Sequence, residues 1–207
     1  MHLIMASDFE LFIPTNVSFQ DYFAIIQTAR AWADGYDLKS YSHLIGTLAP
    51  QVIIDYTDVN PAWGRKTYDH EAFVQLWLSE EHLGNPAMNT QHLLGMPYIE
   101  YAGPVRSETS EGVVPTQSGA VEEIQVKWQI LASHARSPDR QAGEEKTSAV
   151  IDETSDHRAY MTHVFRKLTL EVPGQGTVTR WRIALIKPSP IYMEGDFGRL
   201  RRPAGAP

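Results

Sequence analysis

The sequence predicts an α+β fold in which N-terminal helices are segregated to one side of an antiparallel sheet; a strongly curved sheet closed by those helices would surround a single cavity. Three observations predict it. Apolar residues recur at helical spacing in the first part of the chain, β-rich segments follow one another after residue 96, and turn-rich stretches rather than further helices separate them. Ser18 followed by Asp21 has the form of a capping box, and Phe19, Phe23, Ile26, Ala29, Ala33 and Tyr36 carry a first helix, with Gly35 where it should fray. A short helix is expected at 38–47. Pro50 then leads into QVIIDYT, whose β-branched content predicts a strand. Asp69 is placed to cap a third helix over 70–82 that presents Phe73, Leu76, Trp77 and Glu80. The later strands are expected in PYIEYAG, AVEEIQVKWQILASH, RAYMTHVFRKLTLEV and GTVTRWRIALIKP. Segments 104–120 and 137–157, rich in Gly, Ser, Pro and acids, are expected to be long exposed loops, and 200–207 a flexible tail. No repeat is present, and residues 1–207 are assigned to one domain.

With 207 residues, of which 43% are hydrophobic, the chain can bury a sizeable core. Its net charge of −7 argues against nucleic acid, because phosphate binding draws on clustered Lys and Arg. The one basic cluster, Arg199, Arg201 and Arg202, is expected to be a solvated tail. There is no cysteine, so disulfides, thiolate metal sites and a Cys nucleophile are excluded. Neither a signal peptide nor an apolar run of membrane-spanning length is present, which predicts a soluble, cytoplasmic protein with no membrane partner.

Dinucleotide, phosphate-loop, zincin and nucleophile-elbow motifs are missing, and no His set has metal-ligand spacing, so no cofactor or metal is predicted. His157 and His163 share a strand face but lie roughly 20 Å apart in an extended chain. Metal-free acid–base chemistry is the better expectation. MNTQHLLGM (88–96) sets His92 among Leu93, Leu94 and Met96, which look like core. In KWQILASH, strand parity puts Trp128, Ile130, Ala132 and His134 on one face. Ile54 and Tyr56 share another, as do His157, Ala159, Met161 and His163. Taken singly, each of these histidines is more readily a hydrogen-bonded core residue than a catalyst. Tyr36 alone could end a helix, Tyr56 could be an ordinary sheet aromatic, and Asp37 could cap the segment starting at Leu38.

Taken in order, these fragments resemble the scytalone dehydratase family of fungal polyketide metabolism. The resemblance rests on ARAWADGYDLKSYSHLIGTLAPQVIIDY (29–56), NTQHLLG (89–95), WQILASH (128–134) and LIKPSPIYMEGDFGRL (185–200). It implies a cone of the nuclear-transport-factor-2-like (NTF2-like, SnoaL-like) type and a homo-oligomer, a trimer or dimer. It also implies that His92 and His134 are the catalytic histidines. Tyr36 and Tyr56 would hold a water against the substrate carbonyl, and Asp37 would orient and charge one imidazole. The cavity wall would then include Trp32, Ile54, Trp128, Ile130, Ala132, Ala159, Met161 and Phe197, the last on a segment that could fold over the cavity. Imidazoles suit dehydration because they titrate near neutral pH and can act as base or acid.

The family's Ser-x-Asn pair falls on Ala159 and Met161, which makes that wall apolar and predicts a phenolic, polyketide-derived substrate other than scytalone. A related possibility is a pericyclase: dehydration of a hydroxymethyl group beside a phenol or tropolone hydroxyl gives an o-quinone methide. That electrophile can enter a hetero-Diels–Alder reaction with an alkene such as a terpene. Two other classes remain open, a non-enzymatic ligand-binding protein and a polyketide cyclase or isomerase. The last would need a carboxylate deep in the cone, for which Asp37 and Asp55 are the nearest candidates.

Overall fold

The computed structural model describes residues 11–106, 121–137, 151–172, 174 and 176–202. Helix α1 (Phe19–Asp37) begins at the expected capping box. Ser18 accepts from the Asp21 backbone N–H at 3.1 Å, and its hydroxyl donates to the Asp21 carboxylate at 2.9 Å. Gly35 does not mark fraying: a Cβ there would sit 2.6 Å from Leu44, so the glycine permits close contact with the next helix. Lys39, at φ 53°, turns the chain into α2 (Tyr41–Thr47). Then come β1 (Leu48–Asp55), β2 (Arg65–Asp69) and α3 (His70–Trp77), the last capped by Asp69 as expected. Helix α3 ends before residue 82 because the chain doubles back tightly at Gly84, where a Cβ would collide with the Leu78 carbonyl.

The remaining strands are β3 (Met88–Leu94), β4 (Tyr98–Gly103), β5 (Glu123–Arg136), β6 (Glu153–Val172) and β7 (Gly176–Gly195), followed by one turn of helix, α4 (Phe197–Leu200). All seven form one sheet in the order β2-β1-β7-β6-β5-β3, with β4 also on β5. It is mixed rather than wholly antiparallel, since β1 runs parallel to β7. β3 and β4 lie end to end along the same edge of β5, and Gly95 lets the chain pass over Gln129, donating to its carbonyl at 2.8 Å. Residues 153–157, expected in a loop, belong to β6; residues 107–120 and 138–150 lie outside the described residues.

One cluster of buried side chains draws on every element except β2, whose Tyr68 packs against it. Fully burying a side chain such as Ile25 or Phe73 contributes about 1.5–3 kcal/mol, enough to hold the helices against the sheet. The end of the chain is anchored too. Leu200 is buried, and the buried Arg136 donates from Nη1 to the Leu200 and Arg202 carbonyls at 2.8 and 2.7 Å. Residues 200–202 are therefore packed rather than a flexible tail; 203–207 lie outside the described residues. Among the described residues, no helix is long and apolar enough to cross a membrane.

Candidate active site

Between α1, α3 and the concave face of the sheet lies a cavity of about 740 Å³. Strand register brings its histidines together. Thr90 pairs with His134 and His92 with Ala132, so His92 and His134 are diagonal neighbours on one face of β3 and β5, their rings 5.7 Å apart. The next pairing repeats the step: Ala132 opposes His157 and His134 opposes Ser155, leaving the His134 and His157 rings 5.1 Å apart. Tyr36, at the end of α1, stands 5.6 Å from His92, and Tyr56, just after β1, packs edge-on against Trp77 at 5.8 Å.

The partners of the two leading histidines fix their protons. Asp37 accepts from the His92 backbone N–H at 2.8 Å and meets Nδ1 at 2.7 Å. Burial would raise the Asp37 carboxyl, but hydrogen bonding and charge from His92 outweigh it and hold it below the usual range. An ionised Asp37 requires the proton on Nδ1 and leaves Nε2 free. His134 Nδ1 lies 3.0 Å from the Ser155 carbonyl, which can only accept, so Nδ1 is again the protonated nitrogen. Burial first, and then the charge of His92, push His134 down to about 3, which keeps it neutral. Burial also raises the tyrosines, Tyr36 far above its ordinary value and Tyr56 strongly, so both remain O–H donors. Among the described residues, no group of three or more His, Asp or Glu side chains is placed to hold a metal ion.

The scytalone dehydratase family model matches residues 16–108. The chain is 41% identical to the dehydratase cfoI of Aspergillus candidus over 96% of its own length and 98% of that protein's. It belongs to the scytalone dehydratase family. It is also 26% identical to the scytalone dehydratase PfmaJ of Pestalotiopsis fici, over 89% of this chain and 80% of that one. Among solved structures, a protein from Kribbella flavida aligns with TM-score 0.59 at 15% identity, covering 88% of this chain and 97% of that one. The hexachlorocyclohexane dehydrochlorinase LinA-type3 of Novosphingobium barchaimii aligns with TM-score 0.52 at 9% identity, covering 86% and 92%. The fold is the NTF2-like α+β cone.

In this scytalone dehydratase family member, His92, His134, Tyr36, Tyr56, Trp32, Ile54, Ile130, Ala132, Ala159, Met161 and Phe197 all line the one cavity, and Asp37 backs it through His92. Trp128 does not line it. It shares the parity of Ile130 but lies deeper, buried beside His163. Of the neighbours of His92 that look like core, only Leu94 packs against the core cluster: Leu93 is 53% exposed because β3 alternates faces, Met96, beyond the end of the strand, is 84% exposed, and none of the three lines the cavity. His157, Trp77, His82 and Arg201 also line the cavity although sequence reasoning did not place them there. His157 was legible from its parity with Ala159. Arg201 was not, since nothing in a run of arginines says which one turns inward. The acid among the lining residues is Asp196, at the rim and occupied in capping α4. Asp55 instead binds the Thr57 backbone N–H outside the cavity.

Proposed function

We propose that this chain is a dehydratase of fungal secondary metabolism that removes water from an aromatic, polyketide-derived hydroxy compound, with His92 as the proton-transfer residue. The observation that carries the reading is the Asp37–His92–His134 array facing an apolar cavity alongside two protonated tyrosines. Proton uptake at His92 Nε2 creates an imidazolium, which the Asp37 anion stabilises. His134 is neutral and supplies no proton at neutral pH; its Nε2 lone pair accepts from the departing hydroxyl and orients it. Tyr36 and Tyr56 donate to the oxygen where negative charge grows.

For an o-hydroxybenzyl alcohol the balance is simple. The phenolic proton passes to His92 Nε2, the benzylic C–O bond breaks, and the leaving hydroxide takes that proton away as water. The ring keeps a carbonyl and an exocyclic C=C bond. For a β-hydroxy ketone the proton comes from the α-carbon instead. The apolar wall at Ala159 and Met161 favours a second reading in addition, pericyclase activity, in which an alkene traps the quinone methide inside the cavity. A volume of about 740 Å³ suits a ligand of two joined fragments, since drug-sized ligands occupy about 300–1,000 Å³.

The test is water loss from a panel of phenolic β-hydroxy ketones and o-hydroxybenzyl alcohols. His92→Asn is expected to lower kcat by about 100-fold or more, and His134→Gln to lower it less while raising KM. Turnover unchanged in both variants rules the mechanism out. A product whose stereochemistry matches the spontaneous cycloaddition rules out the pericyclase reading.

A further inference from the structure

The three arginines near the end of the chain differ in what they face. Arg199 pairs with Glu153 at 2.6 Å, and Arg202 with Glu153 at 2.6 Å and Asp152 at 3.3 Å. Arg201, between them, forms no ion pair among the described residues and lines the cavity. Its guanidinium lies 5.2 Å from the centre of the Phe197 ring, and its Nε is buried without a hydrogen-bond partner. That same ring touches His134 at 4.8 Å and His157 at 5.4 Å, so one aromatic side chain separates the guanidinium from the imidazoles.

A guanidinium on a cavity wall with no carboxylate paired to it is a cation that an anionic ligand in that cavity can match. The fork of a guanidinium matches a carboxylate with two parallel N–H···O bonds, a geometry an ammonium does not reproduce. The other charged groups lining the cavity are Lys66 and Asp196, and Asp196 already accepts from the Gly198 and Arg199 backbone N–H groups at 2.8 and 3.2 Å. His82 lies nearby; burial and then the charge of Arg201 hold it below its ordinary value, so it is a neutral neighbour rather than a second cation.

We propose that Arg201 is the anion-recognition residue of this cavity, and that the molecule dehydrated beside His92 carries a carboxylate on its aromatic frame. The inference deepens the dehydratase reading and rests on it only for the reaction, since the recognition is a matter of binding. Paired with the Arg201 guanidinium at the cavity wall, the carboxylate anchors one end of the ligand, and the aromatic frame reaches past the Phe197 edge towards His134 and His92.

The test uses two isosteric probes, naphthalene-2-carboxylate and its neutral carboxamide, titrated calorimetrically into the full chain. The wild type is expected to bind the carboxylate at least about tenfold more tightly, with the preference shrinking as salt is added. Arg201→Gln and Arg201→Leu are expected to erase the preference while carboxamide affinity stays within about twofold, which also reports that the cavity is intact. His92→Ala is expected to keep the preference, so failure of the dehydration chemistry and failure of the recognition are read separately. A wild type that binds both probes alike, or not at all, overturns the proposal. So does a preference that survives both Arg201 substitutions, or one lost in His92→Ala and kept in Arg201→Gln, which would put the anion on the imidazole.

Discussion

Two buried imidazoles make stability fall steeply in mild acid. His134 and His163 are both held down to about 3, His134 by burial and the charge of His92, His163 by burial alone among Trp32, Trp128 and Phe165. In the unfolded chain each would titrate at about 6.5. The folded values are the lower ones, so between about pH 3 and 6.5 the unfolded chain binds more protons and stability drops as pH drops. At pH 5 each imidazole costs about 2 kcal/mol relative to pH 8, and the two together about 4 kcal/mol. That is a large share of the roughly 5–15 kcal/mol a domain has in total. His157 and His82, also lowered chiefly by burial, add in the same direction. The Asp37 carboxyl, also lowered, stabilises the fold in its ionised form and loses that contribution only below about pH 4, outside the comparison of pH 5 with pH 8. Urea unfolding at pH 8 and pH 5 measures the difference directly. His163→Phe keeps an aromatic ring and removes one titrating group, so the pH-dependent loss should shrink by about 2 kcal/mol. An identical loss in wild type and His163→Phe would refute the argument that burial keeps this imidazole neutral.

Two further outcomes follow from single contacts. Asp37→Asn removes the charge facing His92 Nδ1 and should lower kcat by about 10- to 1,000-fold, the equivalent of a one- to three-unit charge interaction, with KM within a few-fold; unchanged steady-state kcat would remove Asp37 from the mechanism. Gly195, at φ 79°, leaves no room for a Cβ, which would lie 2.2 Å from the Thr154 carbonyl oxygen. Gly195→Ala should therefore cost at least about 1–3 kcal/mol of backbone strain, lower Tm by about 2 °C or more and raise KM by displacing Phe197. A melting curve that does not move would show that β7 relaxes there freely.

Local chemistry made the helices legible. Ser18 with Asp21, and Asp69 alone, are caps whose side chains satisfy named backbone N–H groups, so both helix starts fall where the residues put them. The long strands are legible for a similar reason, since β-branched and aromatic residues alternate through β5 to β7. β2 was not: RKTYD has a single half-buried side chain and exists because it pairs with β1, a contact invisible along the chain. β3 was obscured by its own composition. Met88, Thr90 and His92 face inward while Leu93 faces out, so polarity does not report the face. The parallel pairing of β1 with β7 is likewise a long-range event. At the site, parity found Ile130, Ala132 and His134 together yet included Trp128, because alternation gives the side of a sheet and not the depth along a strand.

That distinction explains how His92 and His134 can stand 42 positions apart in the chain without consequence for the site. Their spacing is set by β3–β5 register, and the interval between β4 and β5 meets β5 at the strand end far from His134, where Gly103 pairs with Glu123. Pairing Thr90 with His134 places the rings on one diagonal, and pairing Ala132 with His157 continues it across β6. A slip of one residue in β3 would turn His92 outward, break its hold on Asp37 and bring Gln91 or Leu93 to the cavity. What opposes the slip is the bidentate grip itself. Asp37 takes both the backbone N–H and Nδ1 of His92, while the Thr90 hydroxyl donates to the Tyr36 carbonyl at 3.3 Å, so the end of α1 clamps β3 at two alternate residues. The carboxylate that orients the His92 ring is also the one that fixes the strand's register, so the geometry of the proposed site and the fold depend on the same side chain.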